Sequence, residues 1–200
     1  MTLKGKRIGF ALTGSHCTYE EIFPQIEKIL SLGASVCPIV SYSVAETDTR
    51  FGRGQDIVDR LRKLTGEEPI KTIVDAEPLG PRNDLDCIVI APCTGNTLAK
   101  LASSITDTPV LMATKAHLRN KKPVLIAIST NDGLSMNARN LGILLNAKNV
   151  FFVPFGQDNP EMKANSLVAD MEMIIPALEK ALEYQQIQPV LIERGRREIR

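Results

Sequence analysis

Short, continuously apolar runs alternate along this chain with segments whose apolar residues recur at helical spacing. Arg7 to Thr13 (RIGFALT) is a compact apolar run closed by Gly14-Ser15. From Tyr19 to Leu32 the residues Ile22, Ile26, Ile29 and Leu30 share one helical face, and Gly33 stops the helix. Ser35 to Val40 reads as a second strand. Asp56 to Leu64 reads as a helix with Ile57, Leu61 and Leu64 on one face and Arg60, Arg62 and Lys63 exposed. Asp86 to Ala91 (DCIVIA) is β-branched and continuously apolar, as expected of a central parallel strand covered on both faces. Pro92 is expected to end it. A helix from Asn96 to Ser103, a buried strand from Pro123 to Ile128, a helix from Asn137 to Leu145 and a strand from Val150 to Val153 follow. Val168 to Gln186 reads as one long final helix, interrupted or kinked near Pro176. Glu46 to Gln55 and Ala76 to Asp84 are expected to be loops, the second set by Pro78, Gly80 and Pro81.

Strands separated by helices imply right-handed βαβ units. The expected fold is therefore α/β: a Rossmann-like, doubly wound three-layer sandwich with a mostly parallel sheet. One domain over residues 1–187 accounts for the length, and residues 188–200 form a basic tail expected to fray. The tail carries Arg194, Arg196, Arg197 and Arg200 against Glu193 and Glu198.

Composition narrows the function classes. Twenty-four Lys and Arg balance 23 Asp and Glu, a net charge of +1, so a phosphate-neutralising nucleic-acid binder is not expected. With no Trp and 4% aromatics, base stacking is a poor reading too. No apolar run approaches the roughly 18 residues of a membrane helix, and Ile8 to Leu12 is too short for a signal peptide. A cytoplasmic protein is expected. Cys17, Cys37, Cys87 and Cys93 form no C-x-x-C pair and read as reduced thiols, and no cluster has metal-ligand spacing.

In an open parallel sheet, ligands bind beyond the carboxyl ends of the strands. Gly14-Ser15-His16 follows the first strand and lacks the G-x-G-x-x-G fingerprint of a dinucleotide site. A single phosphate suits it better, with Gly14 permitting close approach, Ser15 offering a hydroxyl and Ser43 adding another. An ordinary Ser-capped corner suits the same residues. Pro92-Cys93-Thr94-Gly95-Asn96-Thr97 opens a helix, where Asn96 offers a donor and an acceptor to a flat heterocycle. A simple capped turn suits this segment equally. His16, near a helix start that lowers its pKa, could act as a neutral donor or a general base, or be a turn residue. His117, amid the charged Lys115 to Lys122 stretch, is expected to be solvated. Arg50, Arg53, Arg60, Arg62 and Lys63 form a solvated face or a group that attracts a dicarboxylate.

Asp84 to Ala102, with the P-x-x-x-N-T loop of Pro92 to Thr97 and Ala99-Lys100-Leu101-Ala102, resembles the signature of the flavin-binding, cysteine-decarboxylase-like flavoproteins. The resemblance covers about residues 5 to 155 and implies FMN as cofactor. It implies a phosphate turn at Gly14, Ser15 and Ser43. It places Pro92, Thr94, Gly95, Asn96 and Thr97 around the ring, with Met136 and Asn137 close by. Gly14 to Thr18, Ala76 to Pro81, Ala91 to Thr97 and Ser129 to Ser135 are similar to one branch of the family. Members of that branch work with an NAD(P)-binding A subunit in the mother cell of a sporulating bacterium. Together they form pyridine-2,6-dicarboxylate from the dihydropyridine acid of the lysine pathway. Family resemblance also implies a homo-oligomer. Flavin-dependent decarboxylation, flavin prenylation and a non-catalytic stabilising role are the alternatives. Two departures bear on them: Ser43 to Leu64 contains no His, and Leu134-Ser135-Met136-Asn137 lacks the family's Pro. Decarboxylation by the family's route is thus not expected.

Overall fold

The computed structural model describes residues 3–193. Strands β1 (Arg7–Leu12), β2 (Ser35–Val40), β3 (Cys87–Cys93), β4 (Val124–Thr130), β5 (Val150–Phe152), β6 (Phe155–Gln157) and β7 (Leu167–Ala169) form a seven-stranded sheet. The strand order is β2-β1-β3-β4-β7-β6, with β5 also pairing with β4. Pairs among β1 to β5 are parallel, whereas β7 runs antiparallel to both β4 and β6. The helices are α1 (Tyr19–Ser31), α2 (Tyr42–Glu46), α3 (Gly54–Thr65), α4 (Ile73–Ala76), α5 (Leu79–Arg82), α6 (Gly95–Ala102), α7 (Pro109–Arg119), α8 (Asn137–Leu145) and α9 (Ile174–Leu182). This is the expected doubly wound arrangement.

Every residue of β3 is buried, which is why DCIVIA carries no polar alternation. Phe10, Phe23, Ile8, Ile26 and Phe152 are fully enclosed around it, each such side chain contributing about 1.5–3 kcal/mol of transfer free energy.

Several expectations change. Pro92 lies within β3 rather than ending it. The Ala91–Pro92 bond is cis, and the register against β4 shifts between Ile90 and Cys93 to accommodate the residue. The final long helix is instead β7, a short 3-10 turn and α9. Residues Val168 and Ala169 are drawn into pairing with Gly156 and Phe155, and the Asp170 side chain accepts from Glu172 N at 3.1 Å to cap the turn. Pro176 then falls third in α9, where no helical N–H partner is lost, so no kink is needed. The Ala76 to Asp84 loop contains the short α5, ended by Asn83 at φ 50°.

Finally, α7 occupies a stretch that periodicity left unassigned. Thr108 caps it by accepting from Leu111 N, and Pro109 starts it. His117 therefore sits on a buried helix face rather than in solvent.

The expected C-terminal tail begins differently from a frayed end. Phe155 N donates to Val190 O and Ile192 N to Phe155 O, both at 3.0 Å, which lays this segment along β6. Residues 194–200, with the tail's four arginines, lie outside the described residues.

Candidate functional site

Neighbouring parallel strands bring the carboxyl ends of β2, β1, β3 and β4 side by side. Thr13, immediately after β1, fastens two of them. Its buried Oγ1 donates to Pro92 O at 2.6 Å and accepts from Thr94 N at 3.0 Å. Tyr19 OH donates to Thr13 O at 3.0 Å, so the start of α1 holds the same residue.

Gly14 meets the β2 end. A Cβ built on it would lie 2.7 Å from Ser43 Oγ and 3.8 Å from His16 Nε2, so only glycine lets the two side chains gather over this turn. Ser43 Oγ is in turn 2.9 Å from Ser41 Oγ. The His16 ring packs against Tyr19, centroids 5.1 Å apart, and burial holds its imidazole below the usual pKa. The cause is desolvation, where the sequence suggested a helix N-terminus. On the far side, Ser15 Oγ reaches Ser129 Oγ of β4 at 2.8 Å.

At the β3 end, Thr94 is the N-cap of α6, accepting from Thr97 N at 3.3 Å. Thr97 is a buried residue in the first turn of α6. Gly95 lets protein approach the helix start: a Cβ there would lie 2.5 Å from Thr130 Oγ1 and 2.7 Å from both Asn137 Nδ2 and Asp132 Oδ1. Asn137 is buried, with Nδ2 donating to Asp132 Oδ2 at 2.8 Å and Oδ1 accepting from Asn140 Nδ2 at 2.9 Å. Both ends of its amide make one internal bond each, which ties Asn137 to the clasp behind the site. Pro92 is likewise buried and acts through its carbonyl. Asn96, next along, is exposed and its amide bonds to no other described residue. Met136 is 82% exposed at the start of α8.

The strand ends thus gather Gly14, Ser15, His16, Ser43, Thr94 and Asn96, and place Pro92, Gly95, Thr97 and Asn137 in the frame behind them. Sequence reasoning passed over Thr13, Ser129, Thr130 and Asp132. All four stand within three residues of a strand end, and a hydroxyl or carboxylate at that position is the signal that could have found them.

Three of the four cysteines, Cys37, Cys87 and Cys93, are buried free thiols, and Cys17 is exposed. Burial raises the Cys93 thiol to about 12 and, with nearby Glu67, the Cys37 thiol to about 11. Most of the expected cationic face is satisfied internally. Arg53 pairs with Asp56, Arg60 with Glu20 while stacking 3.7 Å from the Phe23 ring centroid, and Arg62 with Asp59 and Glu68. Among the described residues no group of three or more His, Cys, Asp or Glu could hold a metal, and no helix is long and apolar enough to cross a membrane.

Comparison with known proteins gives these features a context. The profile of the family described as Flavoprotein matches residues 1–184. The chain is 57% identical over 192 residues to the B subunit of dipicolinate synthase from Bacillus subtilis (strain 168), covering 96% of each chain. It is similar to the crystal structure of the corresponding B subunit from Bacillus halodurans C at 52% identity and a TM-score of 0.89, covering 98% of this chain and 100% of that one. It shares its fold with Burkholderia xenovorans DmrB in complex with FMN, at 19% identity and a TM-score of 0.65, covering 89% and 96% of the two chains. With nearly its whole length matched by the family profile, and with hydroxyls and one free amide set along its strand ends, this chain belongs to the flavoprotein family.

Proposed function

We propose that this chain is the B subunit of a dipicolinate synthase and binds FMN at the carboxyl ends of β2, β1, β3 and β4. It works with an NAD(P)-binding A subunit, completing pyridine-2,6-dicarboxylate from a dihydrodipicolinate-type acid in the cytoplasm of a sporulating mother cell. The observation that carries the reading is the row of Ser43, Gly14, Ser15 and Asn96 along neighbouring strand ends. The donor set fits the cofactor. Hydroxyls of Ser15 and Ser43 beside a glycine suit a phosphate, and the unengaged Asn96 amide suits the N–H and C=O edge of a flat ring.

Converting a dihydropyridine to a pyridine removes one hydride and one proton. Bound FMN or the partner's NAD(P) would supply the hydride acceptor. The residues of this chain orient and hold. Ser15, Ser43 and Gly14 seat the phosphate, while Thr94 and Asn96 fix the ring. His16, whose imidazole burial holds below its usual pKa, would accept the proton as the substrate becomes aromatic. The product gains aromatic stabilisation, so positioning is the larger part of the task.

The test is to purify the chain, titrate it with FMN, and assay dipicolinate formation with the A subunit present and absent. Binding of FMN by the native chain, its loss in Asn96→Ala and activity only with both subunits are the expected results. A chain that binds neither FMN nor the dicarboxylate, yet still restores activity to the A subunit, would be a stabilising subunit and would overturn the flavin reading.

A further inference from the structure

The connection between β4 and α8 folds back over the first turn of α6, and one carboxylate organises it. Asp132 accepts from Thr130 Oγ1 with one oxygen and from Asn137 Nδ2 with the other, the latter at 2.8 Å. Its backbone carbonyl accepts from Ser135 N at 3.0 Å and Asn137 N at 3.3 Å. A single residue therefore ties the end of β4 to the start of α8.

All three side chains of this clasp converge on Gly95. The position a Cβ would occupy there lies within 2.7 Å of an atom from each of Thr130, Asp132 and Asn137. Gly95 directly precedes Asn96. The other flank of the same turn is held by Thr13, which binds Thr94 N. Asn96 is thus carried between two fixed supports, and its side chain makes no hydrogen bond to another described residue.

We infer that Asp132 is a positioning residue that sets the first turn of α6, and with it Asn96, for the ligand. This rests on the reading that Asn96 meets the ligand. An ionised carboxylate can accept from Thr130 and Asn137 together without presenting a proton to either. Alanine removes both acceptors. Asparagine keeps one acceptor and forces a hydroxyl or amide to turn, so it is the milder change. Gly95→Ala attacks the same contact from the helix side and leaves the charge in place.

Three measurements on the full chain test this: hydrogen–deuterium exchange of peptides covering residues 94–102, FMN titration with the visible spectrum of the bound flavin, and thermal unfolding. In Asp132→Ala, exchange is expected to rise at the start of α6 while distant strands stay protected. FMN affinity is expected to fall about tenfold with an altered flavin spectrum, since small misplacements of binding groups are costly. Asp132→Asn should fall between. Gly95→Ala should weaken FMN binding more in the native chain than in Asp132→Ala, where Thr130 and Asn137 lose the carboxylate that holds them and can turn away from the added Cβ.

Unchanged exchange at residues 94–102 overturns the inference, as does native FMN affinity in Asp132→Ala. A uniform rise in exchange across the sheet also overturns it, because the residue would then be merely structural. Should the native chain bind no FMN, the functional proposal falls and exchange alone decides the positioning role. If Asp132→Ala does not fold, Asp132→Asn and Gly95→Ala are read by the same criteria.

Discussion

Ser15 Oγ and Ser129 Oγ sit 2.8 Å apart although their parent strands, β1 and β4, are separated by β3. The bond passes across the end of β3 and links the exit of the first strand to the last residues of the fourth. Ser129 is only 6% exposed, and Ser15 is the hydroxyl that partners it. Ser15→Ala and Ser129→Ala are each expected to cost about 1 kcal/mol in urea unfolding. The double variant should cost less than the sum by about 0.5–1.5 kcal/mol, since both report one bond. Strict additivity would show that the two hydroxyls do not pair in solution.

Gly14 gives a way to separate phosphate from ring. Its missing Cβ is what lets Ser43 Oγ come close, and that hydroxyl is held by Ser41 Oγ at 2.9 Å. Gly14→Ala should turn Ser43 away with a stability change of no more than about 1 kcal/mol. FMN affinity should fall about tenfold, or about 1.4 kcal/mol, while riboflavin, which has no phosphate, should bind nearly as before. Equal losses for both ligands would remove the phosphate from this turn.

Thr13 is 1% exposed and serves two backbone groups of a different strand end. Thr13→Val keeps the shape but leaves the buried Pro92 O and the half-buried Thr94 N without this partner. The expected cost is about 2–3 kcal/mol, because an unmet buried partner loses its full desolvation penalty. FMN binding should weaken as well, since Thr94 leads α6. Equilibrium unfolding and the FMN titration read the two effects separately, and a stability loss well under 1 kcal/mol would show that neither group depends on Thr13.

The sequence made the core strands legible for a physical reason. DCIVIA and the run from Pro123 to Ile128 are buried on both faces, so apolar continuity alone marks them. The end of the chain was not legible in this way. Val168 to Gln186 holds enough apolar residues for a helix, and only the edge offered by β4 and β6 turns Leu167–Ala169 into a strand. At the site, Gly14, Ser15 and Asn96 stood out by residue type next to strand ends. The inward role of Gly95 and Asn137 did not, because it depends on Asp132 and Thr130 folding back from a different strand. His117 was misplaced since flanking lysines mask a buried face of α7.

That same histidine makes stability depend on pH. His117 is 5% exposed, and its Nε2–H donates to Pro123 O at 3.1 Å. Burial foremost, then the neighbouring Lys122 charge, lowers its pKa to about 4, and Pro123 O and Asp86 oppose only part of this. The unfolded chain takes up the proton near pH 6.5, whereas the folded chain resists until about 4. The folded state therefore keeps its full margin above pH 6.5 and loses it progressively as pH falls toward 4, by about 3 kcal/mol in total. His117→Gln retains a donor for Pro123 O and does not titrate. Carboxylates elsewhere titrate alike in both proteins and cancel in the difference. Urea midpoints taken between pH 7 and 4 should show the native chain losing about 3 kcal/mol relative to His117→Gln. A difference that stays flat over that interval would mean that the imidazole titrates freely and that α7 does not hold it neutral.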